Sequence, residues 1–414
     1  MKAHILGAAM LVLASCTVNS LSGGVSVPDL GWLITGSAPY TLNTKVDAAP
    51  GPATFQLVSD RSLMFENPEI VFTADVEVLA DSTISVPLGN IGPGFYEVRL
   101  RDSLRWNIGI EPEKVVSAPD SKADFDAFWD STLAELAGIP LEAELIPVPE
   151  HSDDYVESYQ VHYKSLGGAT AGGILVMPST PGKYPVCVEY MGYGAEPFYP
   201  YDKERIRFLV SVREQGIFKD PEERWIDRGL ESRESFYYRG AFCDVRRAVE
   251  FVCTLPKADV DRIYVMGESQ GGAFSIVSAA ISPEVKAASA AVPFLGDYPD
   301  YARIVWWPVH EVLQTLELEE QWYSDASAAP VAELFNMLSY FDVKNFAPKV
   351  KCPVIMGFGL QDQTCPPHTN FAIYNNLGSQ IKTYVCIPTC GHGIWMESAW
   401  PPLRDAFLNL QIAL

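Results

Sequence analysis

The sequence predicts an α/β protein, a mostly parallel sheet flanked by helices, preceded by a small β-sandwich domain. Three observations carry this. From residue 119 onward, short apolar strands alternate with helical stretches, the pattern of a sheet covered on both faces. Between residues 27 and 115, β-rich runs follow one another with no helix between them. Finally, "VMGESQGGAF" (Val265–Phe274) sets Ser269 between two glycines where a strand gives way to a helix.

The first sixteen residues stand apart from the fold. Lys2, the apolar run "ILGAAMLVL" and the small residues after it have the organisation of an export signal. The run is too short to cross a bilayer as a mature helix. "LASC" (Leu13–Cys16) resembles the lipobox of bacterial lipoproteins. That resemblance implies cleavage before Cys16, its lipidation, and a membrane-anchored protein on the periplasmic or cell-surface side. A plain secretory signal with an incidental cysteine is the alternative. Residues 17–26, rich in Ser and Gly, read as a tether.

The β domain follows over 27–115. Its strands are "ATFQLVSD", "EIVFTADV", "STISVPL", "GFYEVRL" and "LRWNIGI", separated by Gly, Pro, Asn and Asp. Phe95, Tyr96 and Trp106 can stack on sugar rings, but aromatics in small sandwiches more often fill the core. A structural or spacer role is therefore expected. "EPEKVVSAPD" reads as a linker.

The catalytic domain is expected over 119–414. In "SKADFDAFWDSTLAELAG", Phe125, Phe128, Trp129, Leu133 and Leu136 recur at helical spacing, so an amphipathic helix packs on the core. "SYQVHYKSL" and "TAGGILVMPS" read as an antiparallel pair, and "YPVCVEYMGYG" as a buried strand ending in a glycine-rich turn. "GAFCDVRRAVEFVCTL" is helical, "DRIYVMGES" is a strand, and "GAFSIVSAAI" is the helix after it. "KAASAAVPFLGD", "CPVIMGFGLQD" and "QIKTYVCIPTCGHG" supply further strands. "WWP" (Trp306–Pro308) fits a pocket mouth, the core or a subunit contact equally well.

Composition excludes several function classes. The 414 residues suffice for one large and one small domain. With 48% hydrophobic and 20% charged residues, a sizeable core is expected. A net charge of −22 argues against nucleic acid, whose phosphates need clustered Lys and Arg. No C-x-x-C pair occurs and no carboxylate–histidine set has ligand spacing, so neither a metal nor any other cofactor is expected. Cys187, Cys253, Cys352 and Cys386 lie in apolar runs, as core thiols do. Cys386 and Cys390 are close enough in sequence to pair in an oxidising compartment.

A serine at a strand-to-helix elbow is a nucleophile only if a base takes its proton and a third group holds that base. Chains with this elbow on a parallel sheet order their partners Ser, then Asp or Glu, then His. The six histidines then sort by elimination. His4 lies in the export signal, and His151 and His162 precede the elbow. His310 precedes the expected acid, and His368 sits on that acid's own loop. His392, in "CGHG" after the last strand, is correctly placed. Asp362 follows "PVIMGFGLQ" at a strand's carboxyl end, where α/β sites gather. Asp297, Asp300 and Asp342 are its rivals. The oxyanion hole needs backbone N–H groups, one expected from Gln270 and the other from Tyr193 in "MGYG".

At this point the chain resembles a known family, the acetyl xylan esterase / cephalosporin C deacetylase family (carbohydrate esterase family 7), on the α/β-hydrolase fold. The resemblance runs from about residue 119 to the C-terminus. It rests on "DFDAFW", "GGILVMP", "MGYG", "FYYRGAFCDVRRAVEF", "GESQGG", "VPFLGD", "LSYFDVKNFAPKVKCPVIMGFGLQDQTCPP" and "CGHG". It implies Ser269 as nucleophile, Asp362 as acid, His392 as base, and the N–H groups of Tyr193 and Gln270 as oxyanion donors.

There are departures. The family's R-G-Q signature is Arg213-Glu214-Gln215 here, its H-E is His392-Gly393, and its H-G-Y turn opens on Met191. Family members assemble as hexamers, so homo-oligomerisation is a further expectation, which the added β domain can alter. The expected reaction is removal of small acyl groups, above all acetyl, from acetylated sugars or oligosaccharides. A peptidase or a longer-chain esterase on this fold, or a non-catalytic binding protein, are the other readings.

Overall fold

Strands of alternating character bury one face, and the N-terminal strands do so. The computed structural model describes residues 22–101, 103–219 and 224–413. The export signal, Cys16 and the first half of the tether, residues 17–21, lie outside the described residues. Eight strands come first: β1 (Gly24–Ser26), β2 (Leu33–Ile34), β3 (Tyr40–Lys45), β4 (Gly51–Ser59), β5 (Ile70–Val78), β6 (Thr83–Gly89), β7 (Gly94–Leu100) and β8 (Leu104–Ile110). Five of them form a sheet in the order β2-β8-β7-β4-β5, and β3 pairs with β6. Along β6, Ile84, Val86 and Leu88 are buried while Ser85 and Pro87 are exposed, the period of two that a half-buried strand requires. They meet Leu42, Phe55, Leu57, Val98 and Ile108 in a core of their own.

The aromatics considered for sugar stacking are used inside. Tyr96 is buried in this core, and Trp106 is half-buried, its ring centroid 6.0 Å from that of Trp32. Phe95, one residue along β7, faces the opposite way and joins the core of the catalytic domain.

The end of the tether departs from expectation. Gly24–Ser26 is a strand, β1, that pairs in parallel with the last strand of the large sheet, Val25 opposite Val385. The edge of that sheet would otherwise present unpaired N–H and C=O groups, and β1 satisfies them.

The large sheet continues with β9 (Glu144–Pro147), β10 (Val156–Lys164), β11 (Thr170–Pro178), β12 (Tyr184–Tyr190), β13 (Ile206–Ser211), β14 (Ala258–Glu268), β15 (Val285–Ala291), β16 (Val354–Gly359) and β17 (Lys382–Ile387). Its order is β1-β17-β16-β15-β14-β12-β13-β11-β10-β9. Neighbours from β1 to β13 are parallel, and β11, β10 and β9 add on antiparallel. Central strands are apolar along their length because both faces are covered: Val186, Cys187 and Val188 of β12 are fully buried.

The helices are α1 (Phe125–Ala137), α2 (Tyr237–Cys253), α3 (Gln270–Ile281), α4 (Tyr298–Ile304), α5 (Val309–Thr315), α6 (Glu319–Ser324), α7 (Ala329–Leu338), α8 (Val343–Phe346), α9 (Pro367–Asn376) and α10 (Trp400–Ile412). Helix α1 buries Phe125, Phe128, Trp129 and Leu136 as its spacing predicts, while Leu133, expected on the same face, is only half-buried. Helices α4 to α8 all fall between β15 and β16, a helical excursion beside the site. By contrast, parallel neighbours β12 and β13 are joined by residues 191–205 without a helix. All seven cysteines beyond Cys16 are free thiols, including Cys386 and Cys390. Among the described residues, no helix is long and apolar enough to cross a membrane.

Candidate active site

The elbow at Ser269 is tight for reasons visible atom by atom. Ser269 has φ 56° and ψ −119°, a conformation that costs a non-glycine residue about 1–3 kcal/mol. The surrounding main chain holds it there. Its N–H donates to Ala291 O at 2.9 Å, and its carbonyl accepts from Phe294 N–H at 3.0 Å. The flanking glycines permit the close approach. A Cβ on Gly271 would fall 2.0 Å from Tyr190 O, and one on Gly267 would fall 2.4 Å from Gly271 O. The serine thereby sits at the carboxyl end of β14, immediately before α3.

Asp362 follows β16 and is 2% exposed. One carboxylate oxygen, Oδ1, accepts the N–H groups of Thr364 at 2.8 Å and Cys365 at 2.9 Å. The other, Oδ2, lies 2.9 Å from Nδ1 of His392. With Nδ1 carrying the proton toward Asp362, Nε2 is left as the free base. His392 is half-buried, so its ring is reachable from solvent. Burial holds the neighbouring Cys365 thiol well above its ordinary range, and the charge of Asp362 pushes it the same way. Among the described residues no hydrogen bond joins Ser269 to His392; such bonds are often long before substrate arrives.

The rival carboxylates are committed elsewhere. Asp342 accepts the N–H groups of Asp297 at 2.9 Å and Tyr298 at 3.1 Å, and burial pushes its carboxyl up to about 7. Asp297 pairs with Lys344 at 2.9 Å, and Asp300 with Arg61 at 2.9 Å. Asp297, Asp300 and His368 offer three ligand atoms within 4.8 Å of one another. Lys344, Arg61 and Asp60 already compensate their charges, so the cluster is a network of ion pairs.

Gln270 opens α3, and its side chain anchors the expected oxyanion donor. Its amide exchanges two hydrogen bonds with Gln215, at 2.8 and 3.2 Å, and accepts from Tyr238 OH at 2.9 Å. Gln215 in turn follows Arg213, whose guanidinium meets Asp244 through two bonds of 2.8 Å. Glu214, where the family resemblance has glycine, has φ 63°, in the left-handed region glycine favours. Its carboxylate pairs with Arg228.

Tyr193 brings an aromatic wall. Its hydroxyl accepts Trp225 N–H at 3.0 Å, and its ring meets those of Trp225 and Trp307 at 4.9 and 5.7 Å. Trp307 is stacked on Phe294 at 5.1 Å. Of the "WWP" stretch, then, Trp307 belongs to the wall beside the Tyr193 turn, while Trp306 is 41% exposed.

Glu268, next to Ser269, is a feature that sequence reasoning did not single out. Burial pushes its carboxyl up to about 7, with Arg404 and His392 pulling down and Glu189 pushing up. It lines a cavity of about 120 Å³ with Glu189, Phe198, Trp400 and Arg404. Its position before Ser269 was the only signal available.

The acetyl xylan esterase family model matches residues 113–398. The chain belongs to the acetyl xylan esterase family. It is accordingly a carboxylic-ester hydrolase. It is 29% identical over 308 residues to the acetyl esterase Axe7A of Xylanibacter ruminicola, covering 68% of this chain and 67% of that protein. Acetyl xylan esterase 1 from Thermoanaerobacterium sp. JW/SL YS485 superposes with a TM-score of 0.65 at 27% identity; 73% of this chain covers 98% of that one. The acetyl xylan esterase from Paenibacillus sp. R4 gives 0.64 at 28% identity with the same coverage. The large sheet and its helices are thus the α/β-hydrolase architecture of this family. The β domain, whose last strand ends at Ile110, lies outside the residues the family model matches.

Proposed function

We propose that this esterase removes acetyl groups from acetylated carbohydrate such as xylan oligosaccharides, with Ser269 as nucleophile. Ser269 Oγ attacks the acetyl carbonyl carbon while His392 Nε2 takes its proton. The oxygen that becomes negative is stabilised by the N–H groups of Tyr193 and Gln270. The C–O bond to the sugar then breaks, and His392 returns the proton to the sugar oxygen. Water repeats the sequence on the acetyl-serine, releasing acetate and restoring Ser269. Asp362 stays ionised throughout and holds the imidazole in its working tautomer.

The observation that carries this reading is the 2.9 Å bond between His392 and Asp362, whose second oxygen is already filled by two backbone donors. Sugar as the leaving group is supported by the relatives, which are acetyl xylan esterases and an acetyl esterase. The test is rapid mixing with p-nitrophenyl acetate followed by acid quench and peptide mass mapping. Acetyl on the Ser269 peptide supports the mechanism; acetyl on another residue, with Ser269 unmodified, refutes it.

Export belongs to the same proposal. The "LASC" junction supports a mature protein that begins at lipidated Cys16. More than one acyl chain on that residue gives stable membrane attachment, which one chain does not. Mass spectrometry of the membrane fraction is expected to find diacyl- or triacyl-modified Cys16. An unmodified N-terminus elsewhere refutes it.

A further inference from the structure

The loop that carries Asp362 is gripped from outside the catalytic domain. Gln361, the residue before it, spends both ends of its side-chain amide on one residue of β8. Its Oε1 accepts Asn107 N–H at 2.7 Å, and its Nε2 donates to Asn107 O at 3.1 Å. The same Nε2 donates to Pro388 O at 2.8 Å, on the turn that leads to His392. Asn107 answers with its own side chain, Nδ2 to Leu360 O at 3.2 Å. The main chain closes the set, Gln361 N–H donating to Cys390 O at 2.9 Å. A single glutamine therefore joins the β domain, the loop of the acid and the loop of the base.

A second grip lies six residues on. His368 Nδ1 is 3.0 Å from Asp60 Oδ2, on the turn after β4, and its Nε2 is 3.3 Å from Asp300 Oδ2. All three side chains are buried. The Nε2 contact is close enough to attract but is not aligned as a hydrogen bond. The two carboxylates nonetheless outweigh burial and raise the imidazole's pKa to about 10, so it is a cation. Phe95 of β7 packs on Phe371 of α9 with ring centroids 5.5 Å apart. The acid's loop is thus held at both ends by a domain outside the matched family residues.

Nucleophile, base and acid work only within a narrow geometry, and a displacement of about 1 Å can cost about 10²-fold in rate. We propose that the N-terminal β domain is part of the catalytic apparatus, fixing the Asp362 loop against the His392 loop through Gln361 and His368. Gln361 is a positioning residue; it touches no reacting atom. The inference rests on the assignment of Ser269, His392 and Asp362 above.

The test uses the full chain and p-nitrophenyl acetate well below Tm. Gln361→Ala is expected to lower kcat by about 10-fold or more while KM stays within about 2-fold. Gln361→Glu keeps the acceptor for Asn107 N–H but turns a carboxylate oxygen toward two carbonyls, so kcat falls at least as far. The comparison is Asn375→Ala. Asn375 also spans to the chain leaving the β domain, donating to Pro112 O at 3.0 Å and Val115 O at 2.9 Å, but at the far end of α9. It is expected to lower Tm and leave kcat unchanged. If Gln361→Ala loses no more kcat than Asn375→Ala, the positioning role is overturned. If neither Gln361 variant folds, Asn107→Ala carries the test, since it removes only the bond to Leu360 O. A loss of about 3-fold in kcat alone supports the proposal; wild-type kcat overturns it. Asp362→Asn in the same assay separates the two levels. Near-wild-type turnover there defeats the catalytic assignment itself, whereas an inactive Asp362→Asn beside active Gln361 variants defeats only the grip.

Discussion

His392 Nδ1 lies 2.9 Å from Asp362 Oδ2. The carboxylate's second oxygen is saturated by the N–H groups of Thr364 and Cys365, which orient it without neutralising it. Asp362→Asn keeps the shape but presents a donor or a weaker acceptor to Nδ1, favouring the wrong tautomer. A fall of about 10³–10⁴ in kcat is expected, with the fold intact by circular dichroism. If Asp342→Asn or Asp297→Asn is the damaging change while Asp362→Asn is mild, the acid lies elsewhere.

Glu268 links stability to pH. Its folded pKa of about 7 stands above the ordinary value of 4.5, because burial disfavours the charge. The folded state therefore binds the extra proton between those values, and this group's contribution falls as pH rises from 4.5 through about 7. Glu268→Gln removes the buried charge. The variant is expected to match wild type near pH 5 and to exceed it by about 1–3 kcal/mol at pH 8, measured by urea unfolding. An advantage that does not grow with pH contradicts the buried-charge account.

The wall of Tyr193, Phe294 and Trp307 bears on acyl length. The proposed oxyanion donors, the N–H groups of Tyr193 and Gln270, would touch only the carbonyl oxygen and treat all esters alike, so discrimination falls to whatever meets the acyl tail. A cavity sized for a methyl group excludes longer tails by overlap, whereas a roomy one gains about 0.8 kcal/mol per buried methylene. For p-nitrophenyl esters, kcat/KM is expected to fall from acetyl through butyryl to octanoyl, with negligible cleavage of peptide amides. A rise with chain length, or peptide cleavage, moves the chain to the longer-chain esterase or peptidase reading.

What was legible in the sequence had a local cause. The strands of the β domain show in the alternation of Ile84, Val86 and Leu88, and helix α1 in the spacing of Phe125, Phe128, Trp129 and Leu136. Ser269 announces itself because close backbone approach demands glycine at Gly267 and Gly271. What was hidden is non-local. No pattern links Gln361 to Asn107, 254 residues away, and a tether gives no sign that Gly24–Ser26 will complete a sheet edge. The elevated pKa of Glu268 arises from its burial and from Glu189, which reaches it only through the fold. Strand β13 (Ile206–Ser211) was also missed, because the stretch before it, 191–205, lacks the helix that marks a parallel crossover elsewhere.

The most direct test of the account is acetate release from acetylated xylo-oligosaccharides by wild type and Ser269→Ala, each purified and shown to be folded. Wild type is expected to liberate acetate with turnover, and Ser269→Ala to lose about 10⁴–10⁶ in kcat. Near-wild-type release by a folded Ser269→Ala contradicts the nucleophile. Failure of the wild type on acetylated sugar, despite activity on p-nitrophenyl acetate, contradicts the substrate.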